Sequence, residues 1–166
     1  MAWVEDNLRV ELLDLFLKVM SLYGKHDFLS ISNYVVDTLA KRQIDNFVDL
    51  KNRGLEEVID KVRIYSILDS AYIDNVKHQA LIRFRTTFER YIVNKDNGEV
   101  VDGIRDYVGN FIYEVLFTKN DSIKEGTCRY CGAELKDSDL KCEYCGVVNI
   151  NKNSNWLIQD IKEIAS

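Results

Sequence analysis

The sequence predicts an α+β fold in which N-terminal helices pack on a strongly curved antiparallel sheet, with a cysteine-rich insert late in the chain. Apolar residues recur at helical spacing through the first third of the chain and alternate with polar residues through the middle. Four cysteines then interrupt the region between two extended segments. A chain of 166 residues with 46% hydrophobic and 30% charged residues can form one principal domain with a continuous core.

Two helical regions open the chain. Residues 5–23 predict the first helix, because apolar residues recur there at steps of three and four, and Gly24 is suited to end it. Its apolar face comprises Leu8, Leu12, Leu15, Phe16, Val19 and Leu22. Residues 27–52 show a second, wider helical pattern, which is broken near residues 30–33 and ends before Gly54. We therefore expect a pair of packed helices.

After Gly54 the pattern changes to that of extended strands. Residues 58–71 predict a first strand with Val62, Ile64 and Leu68 on one face. Between residues 76 and 88 the even positions are mainly apolar and the odd positions mainly polar, which is typical of a half-buried strand. Its predicted inward face comprises Val76, His78, Ala80, Ile82, Phe84, Thr86 and Phe88.

Two further strands complete the predicted sheet. Residues 94–98 predict a hairpin turn, and residues 100–117 predict a third strand in which Gly109 allows a bulge or bend. One side of that strand carries Tyr107, Phe111, Tyr113, Val115 and Phe117. Residues 156–161 predict the last strand, so the cysteine segment is an excursion between two strands of one meandering sheet.

Two Cys-x-x-Cys-Gly motifs carry the most specific chemistry in the sequence. Their cysteines are Cys128, Cys131, Cys142 and Cys145. Zinc prefers four soft ligands at tetrahedral angles, and each motif can present two sulfur atoms to one ion while its glycine accepts a positive φ. Ten residues separate Cys131 from Cys142, which is enough for a small hairpin that brings the two motifs together.

Two disulfides or a redox Cys-x-x-Cys site are the alternatives to zinc. The acidic start of the chain predicts no export signal, and a redox motif would normally occur once, at a helix start. Four thiolates leave no open position for water, so the expected cofactor is one structural zinc ion. We assign residues 127–150 to an inserted zinc ribbon, and residues 1–126 and 151–166 to the α+β domain.

Charge and hydropathy restrict the partners. Lys and Arg number 22 against 27 Asp and Glu, a net charge of −5, and a zinc tetrathiolate would make it more negative. The basic ribbon residues Lys124, Arg129, Lys136 and Lys141 are offset by Glu125, Glu134, Asp137, Asp139 and Glu143. No nucleic-acid partner is therefore expected. No apolar stretch reaches the roughly 20 residues of a transmembrane segment, so we expect a cytoplasmic protein.

Short motifs from about residue 8 to 162 carry a family resemblance. They are DF at 27–28, YVVD at 34–37, DLK at 49–51, YIV at 91–93, NGEVVDG at 97–103, the two cysteine motifs, and WLI at 156–158. In this order and spacing the chain resembles the Tim forty-four-like domain family, and within it the bacterial zinc-ribbon members. Val36 departs from the family pattern, because a threonine that could cap the next helix is usual there. Phe117 or Phe111 stands where tryptophan is common.

The resemblance implies a cone-shaped fold of the cystatin-like, nuclear-transport-factor-two-like kind, with a hydrophobic pocket between the helices and the sheet. The expected pocket residues are His78, Ile82, Phe84, Phe88, Tyr107 and Phe111. The resemblance also implies association with membranes and with protein-translocation machinery. Since the first helix is acidic, peripheral membrane contact would need the pocket or a partner. We expect a non-catalytic binding or adaptor module for a protein segment or lipid.

A small-molecule enzyme is the alternative function, because the wider superfamily of the resemblance includes isomerases and dehydratases. His78 would be the first catalytic candidate, with Asp106 or Glu114 as its carboxylate partner. A lone inward histidine is more often a core residue, and the two carboxylates fit a solvated strand face. The enzyme hypothesis requires His78 and a carboxylate to meet in one solvent-reachable pocket.

Overall fold

A computed structural model describes residues 2–136, 138, 140–151 and 153–165 and has the predicted α+β architecture. N-terminal helices pack on a curved, four-stranded antiparallel sheet with the strand order β1-β2-β3-β4. The elements are α1 (Asp6–Gly24), α2 (Phe28–Ile31), α3 (Asp37–Asn52), β1 (Leu55–Tyr72), β2 (Gln79–Asn94), β3 (Val100–Lys119) and β4 (Trp156–Ala165). The cysteine segment lies between β3 and β4, as predicted, while Asp137 and Asp139 lie outside the described residues.

The core lies between α1 and the inner face of the sheet. Leu12, Leu15, Phe16 and Val19 of α1 are fully buried, which confirms the predicted apolar face of this helix. The Phe16 ring packs edge-on against the Phe84 ring of β2, with their centroids 4.9 Å apart. Burying a side chain of this size contributes about 1.5–3 kcal/mol, so α1 is the principal anchor of the sheet.

Backbone geometry marks the helix ends. At Gly24 a Cβ atom would lie 2.9 Å from the Ile59 carbonyl oxygen, so only glycine lets the end of α1 approach β1 this closely. The break between the helices falls at residues 32–36, slightly later than predicted. α3 then begins after Val36, whose side chain makes no cap hydrogen bond, as expected for valine. Gly54 follows α3 with a φ of 71°, the left-handed conformation that favours glycine.

β2 shows the predicted alternation of buried and exposed residues. Its buried face comprises Ala80, Ile82, Phe84, Thr86 and Phe88. Val76 and His78, predicted on the same face, precede the strand, and Val76 is exposed. The chain then turns between Asn94 and Val100 into β3, where the hairpin was predicted.

The face assignment in β1 is partly wrong. β1 shifts register against β2 at three points, near residues 61–62, 65 and 68. Each shift places one extra residue on β1 and changes which face the following side chains occupy. Val62 and Ile64 pack against the core, but Leu68 lies in the last bulge and is exposed.

The larger of two bulges in β3 lies at residues 104–107, and neither bulge lies at Gly109. These four residues together oppose Arg90 alone, and Asp106 among them has a φ of 61°. Gly109 instead pairs regularly with Phe88. The predicted one-sided row therefore breaks at Tyr107, which is 57% exposed.

The edges of the sheet are covered unequally. β4 pairs with β3 only over residues 112–119, so residues 100–111 have no strand on that side among the described residues. The loop between α2 and α3 covers the start of β4: Val36 N–H donates to Ile158 O, and Ile158 N–H donates to Tyr34 O, both at 2.9 Å. β1 forms the opposite edge.

Candidate metal centre

Two tight turns of the same geometry hold the four cysteines. Gly132 N–H donates to Cys128 O in the first turn, and Gly146 N–H donates to Cys142 O in the second, both at 2.8 Å. The two glycines have φ values of 80° and 78°, as predicted for the residue after each Cys-x-x-Cys turn. A second hydrogen bond, donated by the N–H of the first cysteine, closes each turn at 2.7 and 2.9 Å.

The four sulfur atoms form a compact cluster within 4.8 Å of one another. Cys128 Sγ lies 3.7 Å from Cys145 Sγ, and Cys131 Sγ lies 3.6 Å from Cys142 Sγ. A tetrahedral zinc ion with zinc–sulfur distances of about 2.3 Å would place its ligands roughly 3.8 Å apart. A disulfide would need about 2.05 Å, and all four cysteines are free. The cluster can therefore hold one metal ion, and its donor set fits zinc.

Cys128 receives the most polar support of the four. Burial alone would raise the pKa of its thiol, but hydrogen bonds from the Cys131 backbone and the Asn149 side chain outweigh burial and lower the pKa to about 6. Asn149 is 1% exposed. Its Nδ2 lies 3.4 Å from Cys128 Sγ, and its Oδ1 accepts the Arg129 N–H at 3.1 Å. Hydrogen bonds of this kind hold a metal ligand in one orientation.

Arg129, inside the first Cys-x-x-Cys turn, joins the ribbon to the α+β domain. Its guanidinium donates to the carbonyl oxygens of Asn33, Ser154 and Trp156. It also lies over the Tyr34 ring, 4.3 Å from the centroid. Burial lowers the pKa of this guanidinium, which stays charged all the same because arginine titrates so far above neutrality. One cation thus ties the loop between α2 and α3 to the start of β4.

The segment after the second turn packs on the helices through further hydrogen bonds. Val148 N–H donates to Ser30 Oγ of α2 at 3.1 Å, and Ile150 N–H donates to the Tyr34 hydroxyl at 2.9 Å. Lys18 Nζ of α1 donates to Ile150 O at 3.0 Å. The fully buried Tyr34 thus contacts both halves of the ribbon, Arg129 in the first half and Ile150 in the second. The metal centre is therefore attached to the helices at several points.

Five of the six predicted pocket residues fall into two groups. Ile82 and Phe84 are fully buried in the core beneath α1. Phe88, Tyr107 and Phe111 line one cavity of about 510 Å³ at the end of the sheet away from the cysteines. We call this space the hairpin cavity, because the β2–β3 hairpin forms most of its wall.

The hairpin cavity combines aromatic walls with a few polar groups. Its other lining residues are Arg90, Gly103, Ile104, Gly109, Tyr113 and Glu163. The Phe88 and Phe111 rings are stacked with centroids 4.1 Å apart. Arg90 Nε lies 2.6 Å from Glu57 Oε2, so this cation is already paired. Burial, reinforced by the Glu163 carboxylate, raises the pKa of Tyr113 to about 12.

The sixth predicted pocket residue, His78, lies just before β2, at the end of that strand away from the hairpin cavity. Its Nε2 is 3.6 Å from Asp121 Oδ2, and both side chains are well exposed. Asp106 lies in the β3 bulge opposite Arg90, and Glu114 accepts from Arg83 at 3.3 Å. The structure therefore brings neither predicted carboxylate beside His78.

Not every basic residue of the ribbon lies on its surface. Arg129, one of the four basic residues counted for the ribbon, turns inward, whereas Lys124 and Lys141 are exposed. Tyr130 and Tyr144 of the two turns are exposed as well. Arg129, Asn149 and Tyr34 are the residues of this centre whose roles the sequence did not reveal. The position of Arg129 inside a cysteine turn was the one available signal.

Fold and site together define an α+β protein with a four-cysteine centre that can hold one metal ion. No protein-family model and no curated protein matches the chain. Among solved structures it is similar to the intermembrane space region of the chloroplast protein ARC6, with a TM-score of 0.58 and 11% identity over 99% of this chain and 100% of that one. At this identity the likeness shows the fold alone, so the Tim forty-four-like resemblance stays a prediction.

No helix in the described part of the chain combines the length and the apolarity that crossing a membrane requires.

Proposed function

We propose that this chain is a zinc-stabilised, non-catalytic binding module that holds a segment of another protein in the hairpin cavity. The observation that carries the proposal is the cavity itself, whose volume of about 510 Å³ lies within the range typical of ligand sites. Ile104 and Tyr107 at its mouth are 62% and 57% exposed. Contiguous exposed apolar residues of this kind often mark interaction sites.

Zinc has a structural role in this proposal. Four cysteine ligands would leave no open position for water, which argues against Lewis-acid chemistry. Arg129 and Asn149 connect the cysteine turns to the loop between α2 and α3 and to the start of β4. The ion would therefore hold the helical layer and the last strand together, and the sheet would carry the binding surface.

The polar groups near the hairpin cavity favour binding over catalysis. Arg90 is paired with Glu57 and lies 3.6 Å from Asp102, so it is not a free cation. Tyr113, with its pKa raised to about 12, stays protonated at neutral pH and is a poor base. His78, the candidate of the alternative enzyme hypothesis, pairs with Asp121 on an exposed surface.

The cellular setting of the module rests on the family resemblance. The resemblance favours a bacterial cytoplasmic protein linked to protein translocation or to the membrane. Peripheral membrane contact would then pass through the hairpin cavity or through the bound partner. A lipid tail is the competing occupant of the cavity, and the experiment distinguishes it from a protein segment.

Selection from a displayed library of random heptapeptides tests the binding function. Zinc-loaded protein should enrich a set of related peptides, and the synthesised peptides should bind in isothermal titration calorimetry. Tyr107→Asp should abolish this binding. Tyr65→Asp is the matched control, because Tyr65 is an exposed tyrosine in a bulge of β1 and should leave binding unchanged.

Vesicles of neutral phospholipid serve as the second probe. Binding to these vesicles without any enriched peptide would favour lipid over a protein segment. Enrichment of peptides that bind Tyr107→Asp as well as wild type would contradict the assignment of the cavity.

A further inference from the structure

We propose that the free edge of β3 at residues 108–111 is a strand-addition site. It takes an extended segment of another protein that places an apolar side chain in the hairpin cavity and a basic residue beside Glu163. This inference rests on the proposed function and names the place, the backbone geometry and the charge of the bound segment.

The first support is an unpaired stretch of regular strand. Residues 108–111 pair in regular register with Glu89, Phe88, Thr87 and Thr86 of β2. On their other side the last described β4 pair is Ala165 with Ile112, so no described residue occupies that edge. The backbone groups on that side can therefore hydrogen-bond to an added strand, as in the strand-addition mode of peptide recognition.

The second support is a contrast with the other edge of the sheet. β1 carries three bulges, and charged residues such as Asp60, Lys61 and Asp69 lie along it. Bulges and charges are the usual devices that keep an edge strand from pairing with other chains. Residues 108–111 are Val, Gly, Asn and Phe, with no charge and no bulge among them. The β3 edge is bulged and charged before this stretch, at residues 104–107, whereas residues 108–111 themselves lack these devices.

The third support is the position of the hairpin cavity directly beside this edge. Gly109 and Phe111 belong both to the free edge and to the cavity lining. A Cβ atom at position 109 would lie 3.0 Å from the Phe111 ring, so glycine leaves room for that ring to stack on Phe88. Side chains of a strand alternate between the two faces. Every second side chain of an added strand would therefore point to the face of the sheet on which the cavity lies, and one of them could enter it.

The carboxylate of Glu163 at the cavity favours a bound segment that carries a basic residue. Glu163 and Arg90 are the charged residues that line the cavity, and Arg90 is paired with two further carboxylates, those of Glu57 and Asp102. Glu163 has no ion-pair partner among the described residues. A carboxylate at the mouth of an apolar cavity favours a partner with a Lys or Arg close to its apolar anchor.

The same charges disfavour a second copy of this chain as the occupant. Pairing two β3 edges would bring together two surfaces that each carry Asp102 and Glu163. Like charges that approach each other across an interface oppose association. A basic segment of a different protein fits the site better.

The experiment maps where and how a bound peptide lies. The probe is the most strongly enriched heptapeptide from the random library, added to the zinc-loaded chain. We expect hydrogen exchange measured by NMR to slow at the amides of residues 108–111 that face the free edge. N-methylation of the peptide at successive positions should weaken binding at alternate positions, by up to about tenfold for each lost hydrogen bond.

Three variants test the side-chain contacts of the same peptide. Ile104→Asp should weaken binding at least tenfold, as truncation of a central apolar contact does. Leu68→Asp is its control, because Leu68 is an exposed apolar residue in a β1 bulge and should have no effect. Glu163→Gln should weaken binding about two- to fivefold for peptides that contain Lys or Arg, since an exposed ion pair contributes modestly.

The outcomes separate this inference from the proposed function. Enriched peptides that bind but protect other residues, or that are acidic, would overturn the β3 site and leave the binding function in place. No enriched peptide would overturn both. A dimer in sedimentation that dissociates in Ile104→Asp would assign the edge to a second copy of the chain instead.

Discussion

The two ends of the sheet are built in opposite ways. At the cysteine end, Arg129, Asn149 and Tyr34 join the ribbon, the helices and β4 through buried hydrogen bonds. At the hairpin end, β3 continues beyond β4, and Ile104 and Tyr107 leave apolar surface exposed. At one end the polar groups of the ribbon bond to the helices and to the start of β4, while at the other end backbone and apolar groups are left open.

This difference indicates that the cysteine end stabilises the fold and that the hairpin end carries the binding surface. Residues that hold several buried partners are costly to change, because each lost partner leaves an unsatisfied polar group. Substitution of exposed residues at an unpaired edge alters folding stability little. Folding therefore does not explain why these residues are apolar, and a binding surface does. The substitutions below should therefore separate stability effects at one end from binding effects at the other.

Loss of the metal should have the largest effect. In Cys128→Ser, or after chelation of the wild type, the four-ligand set is broken, and apparent zinc-binding free energies of such sites are on the order of 10–16 kcal/mol. We expect hydrogen-exchange protection to disappear over the ribbon and over residues 32–36. Residues 88–111 should keep theirs. Equal loss of protection at both ends, or none at either, would contradict the separation of the two ends.

Arg129→Met should have the next largest effect. It leaves the carbonyl oxygens of Asn33, Ser154 and Trp156 without their donor, which we expect to cost about 2–4 kcal/mol in urea unfolding. Lys124→Met is the matched control, since Lys124 is an exposed basic residue close to the same turn and should change stability little. If both variants unfold alike while one zinc remains bound, Arg129 does not join the ribbon to the fold.

The sequence predicts these two ends unequally well, for physical reasons. Local patterns placed α1, the alternation of β2 and the four cysteines correctly, because helical spacing, period-two burial and ligand spacing are properties of adjacent residues. The bulges at Leu68 and at residues 104–107 depend on the pairing with β2, which no local pattern encodes. The inward turn of Arg129 likewise depends on carbonyl groups far away in the sequence.

Asn149→Ala should destabilise the fold less than Arg129→Met does, and its main effect should be on zinc affinity. The substitution removes the amide that donates to Cys128 Sγ and the oxygen that accepts the Arg129 N–H. We expect about 1–3 kcal/mol of destabilisation and a zinc affinity roughly 10–100-fold lower, measured by competition with a chromophoric chelator. Asn155→Ala provides a comparison, because Asn155 directly precedes β4 and its side chain makes no hydrogen bond to a cysteine among the described residues. Unchanged zinc affinity in Asn149→Ala would show that the cysteine turns alone define the site.

Tyr107→Ser should have the smallest effect on folding. Tyr107 is 57% exposed, and surface changes away from special contacts usually alter stability by no more than about 0.5 kcal/mol. The same substitution at the cysteine end, Tyr34→Ser, removes a fully buried ring and should cost about 3–5 kcal/mol. Urea unfolding of the two variants compares one residue type at the two ends of one sheet. If Tyr107→Ser destabilised the chain as much as Tyr34→Ser, the aromatic residues of the hairpin cavity would be part of the core, and their exposure would no longer argue for a binding surface.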